Sequence, residues 1–231
     1  KCASESKIDL LTFDGAGGGT GMSPVPMMND CSTPTVYLQA QVMSCVKLMK
    51  ENGMYVPDIA FAGGFVNETQ IYKSMAMSDL GNGPMVKAIA MARAPITAVM
   101  KAEYFQELSK KNDLPASFSK AYTSDPNKFM IAYSELEEKF GSDVKNIPIG
   151  AIGLYTYWHD RIGVGLQQLM AGARKFRLDC ISRGDIASIT ERAAKVTGIP
   201  MVSEMEEDLM AKILLDGASE RVEKAAPTIR Q

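Results

Sequence analysis

Five glycines crowd the seven residues from Gly15 to Gly21, in the stretch Asp14-Gly15-Ala16-Gly17-Gly18-Gly19-Thr20-Gly21. Without β-carbons, such a run lets backbone approach a ligand closely and turn amides toward it. The spacing fits neither the P-loop nor the dinucleotide fingerprint, and Pro24 and Pro26 follow rather than a helix. A second glycine pair stands in Ala62-Gly63-Gly64-Phe65, just before Asn67, a plausible helix N-cap. Amides at a strand-to-helix turn, with the positive end of a helix behind them, make a phosphate cradle. Arg93, in Met91-Ala92-Arg93-Ala94, adds a guanidinium for the same phosphate. The candidate binding set is therefore Gly18, Gly19, Thr20, Gly21, Gly63, Gly64, Ala92 and Arg93.

Other reactive groups argue by their scarcity. His159 is the single histidine, which excludes multi-histidine metal sites and any histidine-based triad not built on it. Its setting, Tyr155-Thr156-Tyr157-Trp158-His159-Asp160, reads as aromatic packing on a helix. Glu135 to Lys139 reads as an exposed helical charge cluster, and Gln167, Gln168, Arg174 and Lys175 as a solvated face. Cys2, Cys31, Cys45 and Cys180 lie far apart with no C-x-x-C pair, a pattern of reduced thiols in a cytoplasmic protein. The sixteen methionines are scattered and read as core filler.

The elements that must position these residues repeat. Lys7 to Phe13 is an apolar run of strand formers ahead of the first glycine loop, and Pro34 to Lys50 follows with helical spacing up to Asn52-Gly53. Pro57 to Phe61 is a second strand, followed by the Gly63-Gly64 turn and a helix from Glu68 to Leu80 closed by Gly81. Met85 to Ala90 is a third, and Pro95 suits the first turn of a helix reaching about Lys110. Strand, loop and helix three times over, with apolar rather than alternating strands, predict parallel β/α units. All three candidate loops then fall at carboxyl ends of strands, where such architectures gather ligands.

From residue 111 the pattern turns helical, with a polar, turn-rich stretch from Asn112 to Asn127. Helices are predicted at Lys128 to Phe140, Gly150 to Lys175, Arg183 to Thr197 and Ser203 to Leu215, before a charged tail beyond Gly217 that is expected to fray. Three β/α units cannot close a barrel that takes about 250 residues for eight. The expected architecture is therefore α/β: residues 1–110 as the last three units of a (β/α)8 barrel, and residues 111–231 as a mainly helical extension packing on it. The missing strands, and part of the catalytic machinery, are expected upstream of Lys1 or in a partner chain.

Composition narrows the partners. The 231 residues are 46% hydrophobic and 23% charged with net charge −2, values of a folded globular chain. No basic footprint invites nucleic acid. The most apolar stretch, Pro84 to Met100, is broken by Lys87 and Arg93, so a membrane span is not expected.

The loop Gly17-Gly18-Gly19-Thr20-Gly21-Met22-Ser23-Pro24 resembles the D-G-G-T-G-A-S-P loop of the FMN-binding synthase domain of glutamate synthases. Ala62-Gly63-Gly64-Phe65 and the turn at Ala90 to Ala94 stand where that family has its seventh and eighth strand ends. The resemblance covers Lys7 to about Met100. Beyond it, Gly165 to Met170 and Ile181 to Ile186 are similar to the family's helical region after the barrel. It implies an FMN-dependent oxidoreductase acting on amino or imino acids, forming glutamate from 2-oxoglutarate and ammonia or a related product. An electron-donor or glutaminase partner and an oligomeric assembly are implied with it. Gly63, Gly64, Ala92 and Arg93 would bind the phosphate, and Gly17 to Gly21 would line the cofactor or substrate cavity. Two positions depart from the pattern: Gly17 and Ala62 stand where the family has Asp. The family's three cluster cysteines are missing from Met91 to Lys111, so no iron–sulfur cluster is expected. These losses leave an alternative, a catalytically degenerate barrel subunit that binds or scaffolds. A hydroxy-acid oxidase or nucleotide dehydrogenase is a further rival, but Cys31 lies too far along for the latter's catalytic cysteine.

Overall fold

The computed structural model describes residues 1–121, 125, 130–204 and 207–215. Three strands form one parallel sheet in the order β1 (Leu10–Asp14), β2 (Asp58–Ala62), β3 (Val86–Ile89). Helices α1 (Cys2–Glu5), α2 (Val25–Asn29), α3 (Thr35–Glu51), α4 (Glu68–Met77) and α5 (Arg93–Lys110) precede, link and follow them. Ile59-Ala60-Phe61 is buried throughout, which places β2 at the centre.

Register explains which face is covered. Phe13 pairs with Phe61 and Leu11 with Ile59, while Val86 lies beside Ile59 and Ile89 beside Phe61. Phe13, Ile59, Phe61, Val86 and Ile89 join Val42, Met43 and Val46 of α3 in one apolar core, with the Phe13 and Phe61 rings stacked at 5.5 Å. A register shift between β2 and β3 lets Ala88 pair with Ala60 and drops Lys87 from the pairing. The opposite face carries Leu10, Thr12 and Ala88, all exposed, Leu10 by 52%. The strands were predicted as buried runs. Only β2 is one, because no element covers the second face of β1 and β3 among the described residues.

Several boundaries differ from expectation for local reasons. Helix α4 stops at Met77 rather than Leu80. Buried Ser78 donates its hydroxyl to the Met75 carbonyl and accepts from the Val86 amide, and Asp79 accepts from the Gly81 and Gly83 amides. Those bonds fold the chain early into β3. Within the stretch read as turns, α6 (Ala116–Ala121) forms directly after Pro115, whose carbonyl accepts from the Phe118 amide. The helix predicted at Arg183 to Thr197 is divided. A capping box between Ser182 and Asp185 closes a short turn at Arg183–Asp185, and α10 (Glu191–Thr197) starts anew at the Thr190 cap. Residues 128–129 and 205–206, and the tail from 216, lie outside the described residues.

Past α6 come α7 (Tyr133–Phe140), α8 (Ile149–Thr156), a π-helical segment Tyr157–Val164, and α9 (Gly165–Gly172). Helices α5 and α8 pack closely: a β-carbon on Gly153 would stand 2.6 Å from that of Ala102. Tyr133, Leu136, Val144, Ile149 and Ile152 extend this second core. A third joins Tyr72 and Ala76 of α4 to Met170 of α9 and to Ile181. The compact unit holding all of this runs from Lys1 to Ile186. Ala187–Gln231 is a separate unit containing α10 and α11 (Glu207–Leu215). No helix of the described residues is long and apolar enough to cross a membrane.

Candidate functional site

The strand ladder continues into the loops and fixes where they go. The Gly15 amide donates to the Ala62 carbonyl at 3.0 Å, and the Ala90 amide to the Phe61 carbonyl at 2.8 Å. All three strand ends therefore stay in step past the sheet, and their loops wall one cavity of about 690 Å³. That size lies within the range of about 300–1,000 Å³ usual for small-molecule sites. Gly18, Gly19, Thr20, Gly21, Gly63, Gly64, Ala92 and Arg93 all line it.

The first loop takes a different part from the one its sequence announces. Its amides are spent internally: Ala16 donates to the Thr33 carbonyl, Gly17 to Met28, Gly18 to Gly15, Gly19 to Asp14 Oδ2 at 2.8 Å, and Thr20 to Ser23 Oγ at 3.1 Å. The expected inward amides are thus absent from Gly15 to Thr20, and the loop serves as a wall with a fixed shape. Asp14, at the tip of β1, holds that shape and is the one carboxylate in the cavity lining among the described residues.

The second loop needs its glycine for contact. Gly63 sits at φ +98°, and a β-carbon there would stand 2.5 Å from the Gly15 carbonyl oxygen. Thr35, at the start of α3, donates to the Gly63 carbonyl at 2.6 Å and pins the turn from behind. The amides of Gly63, Gly64 and Phe65 find no acceptor among the described residues.

The helix expected to point its positive end at the phosphate is α4, behind the Gly63-Gly64 turn. Asn67 caps α4 by accepting from the Gln70 amide at 3.0 Å, and Gln70 Oε1 accepts from the Val66 amide at 2.7 Å. That terminus is satisfied by its own side chains. Helix α5 has Ala92 at its cap and no side-chain cap bond. The amides of Ala92, Arg93 and Ala94 carry no hydrogen bond among the described residues. The open positive end at this cavity is therefore that of α5. Arg93 is exposed, and its Nη2 donates to the Gly17 carbonyl, tying α5 to the glycine loop.

Asp14, Phe65 and Met91, which belong to the candidate loops but not to the expected binding set, line the cavity as well, as do Val66 and Ile96, which lie outside those loops. Asp14 had a legible sign, a carboxylate at a predicted strand end; the apolar residues had none. A smaller cavity of about 230 Å³ lies behind Gly63 and Gly64, between α3 and α4, lined by Gln39, Lys73 and Ser74 among others. His159 stacks on Tyr155 with ring centroids 4.9 Å apart, in line with the packing role read for it. Glu135 is exposed on α7, as the charge cluster was read, and its Oε2 lies 3.6 Å from His159 Nδ1. No family model matches the chain, and no curated protein or solved structure does either.

Proposed function

We propose that the chain contributes the phosphate end of an FMN site in an oxidoreductase of glutamate synthase type, acting on an amino or imino acid. The observation that carries this reading is one cavity holding two sets of unengaged amides, at Gly63 to Phe65 and at the start of α5, with one guanidinium beside them. A phosphate dianion suits that donor set, since amides and a helix terminus stabilise it without competing counter-charge. Bound FMN would supply the electron relay. This chain's residues would hold the phosphate, and the glycine loop with its Asp14 brace would keep water and the substrate in order around the ring.

The architecture supports the same proposal. Strands in sequential order, with α3 packed on one face and the other face exposed, are what a sector of a singly wound barrel would have, and support reading the chain as part of one. In such a barrel the open face would be the interior.

The test is reconstitution. Purified protein, stripped of bound flavin and titrated with FMN, should bind one equivalent per chain and quench flavin fluorescence, and riboflavin, which lacks the phosphate, should bind at least tenfold more weakly. Equal affinity for riboflavin would remove the phosphate assignment. A chain that binds neither would favour the degenerate scaffold.

A further inference from the structure

A second constellation lies outside the cavity, where α7 meets the π-helical segment. His159 Nδ1 lies 3.2 Å from Asp160 Oδ1 and 3.6 Å from Glu135 Oε2, and the three ligand atoms all fall within 4.8 Å of one another. In a tetrahedral zinc site with bonds near 2.0–2.2 Å, neighbouring ligand atoms stand about 3.4 Å apart. The two nitrogen-to-oxygen separations bracket that edge.

Charge and support point the same way. Two carboxylates share this spot, and neither has a Lys or Arg ion-pair partner among the described residues. Asp160 Oδ2 is shut off from solvent without a hydrogen-bond partner, so its carboxylate draws no compensation from that side. Tyr155 donates its hydroxyl to Glu135 Oε1 at 3.1 Å while its ring stacks on the imidazole. One residue thus orients two ligands, the arrangement expected of groups around a metal's own donors. The π-helical winding, in which Tyr157–Val164 carries both His159 and Asp160, is of a kind that recurs at functional sites.

We infer that Glu135, His159 and Asp160 bind a divalent transition-metal ion of borderline hardness, zinc above all, through one nitrogen and two oxygens. Half-exposed Glu135 and His159 leave the remaining position open to water or to a partner's side chain. The inference is independent of the flavin proposal, because none of the three residues lines that cavity.

The full chain, treated with chelator, dialysed, and alkylated at its four exposed cysteines to remove thiol ligands, is titrated with Zn²⁺ by calorimetry and with Co²⁺ by visible absorption. One ion per chain and the intense visible bands of four-coordinate Co²⁺ are expected. His159→Ala should abolish both, Glu135→Gln should weaken binding at least tenfold, and Tyr155→Phe should weaken it about tenfold while leaving the stoichiometry at one. The circular dichroism spectrum and urea midpoint of His159→Ala should match the wild type and report that the fold survives. Zinc binding unchanged in His159→Ala, or absent from the alkylated wild type, would overturn the site.

Discussion

At the scale of single residues, the cavity's character rests on a few atoms. Ala92→Asp places a carboxylate at the uncapped start of α5, where it would favour the helix but repel a phosphate. Thermal melting should show apo stability unchanged or raised, while FMN affinity falls at least tenfold. Gly63 is the poorer position for such a charge test, since any side chain there strikes the Gly15 backbone whether or not a phosphate binds. Arg93→Ala should weaken FMN binding by about 1–3 kcal/mol, the usual worth of a hydrogen bond to a charged group, as read by fluorescence titration. Away from the cavity, burial first and the neighbouring Asp185 carboxylate second push the Tyr72 hydroxyl up to about 12. The native state therefore keeps this proton at a pH where the unfolded chain, with an ordinary value of about 10, has lost it. Stability is present in full below about pH 10 and declines as pH rises toward 12. Tyr72 Oη is buried with no hydrogen bond of full geometry and only the Asp185 carboxylate near it, so Tyr72→Phe should cost little at pH 8 and should flatten the decline in urea midpoints between pH 9.5 and about 11.5.

At the scale of elements, the phosphate turn depends on how α3 and α4 are held. Gln39 is 2% exposed, donates to the Ser74 carbonyl at 2.6 Å and accepts from the Ser74 hydroxyl at 2.8 Å. Both helices end their inward sides at the loops that shape the cavity, α3 through Thr35 and α4 through Asn67. Gln39→Leu strands the Ser74 hydroxyl in the interior, while the Ser74 carbonyl still accepts from the Ser78 amide, and should destabilise by about 1–3 kcal/mol in urea. Gln39→Leu with Ser74→Ala should recover part of that loss, because the orphan hydroxyl is removed. These three β/α units were legible because β-formers, glycine turns and the Asn67 cap agree locally at each step. The π-helical winding of Tyr157–Val164 was not legible. It reads as ordinary helix by periodicity, and its contacts, Tyr157 hydroxyl to the Val66 carbonyl and Arg161 to Glu68, join residues about ninety apart in sequence.

At the scale of the molecule, the sheet presents two unpaired edges and an open face among the described residues. Such edges pair with further strands or with another copy. The 231-residue chain is expected to self-associate through them, and Leu10→Lys, which charges an exposed position on β1, should shift it toward monomer in light scattering. Its urea stability should move by no more than about 0.5 kcal/mol, as for other surface changes. A wild-type chain that is monomeric at all concentrations would remove the edge-pairing argument.

Sequence by itself determined the three parallel units and picked out eight of the residues that wall the cavity, because glycine patterns and apolar runs act over a handful of neighbours. Tertiary structure alone decided which amides remain free. The glycine loop spends its donors on Thr33, Met28 and its own Asp14, whereas Gly63 to Phe65 and the start of α5 keep theirs. Hydrogen-bond satisfaction is settled by partners that are distant in the chain, and no local pattern records it.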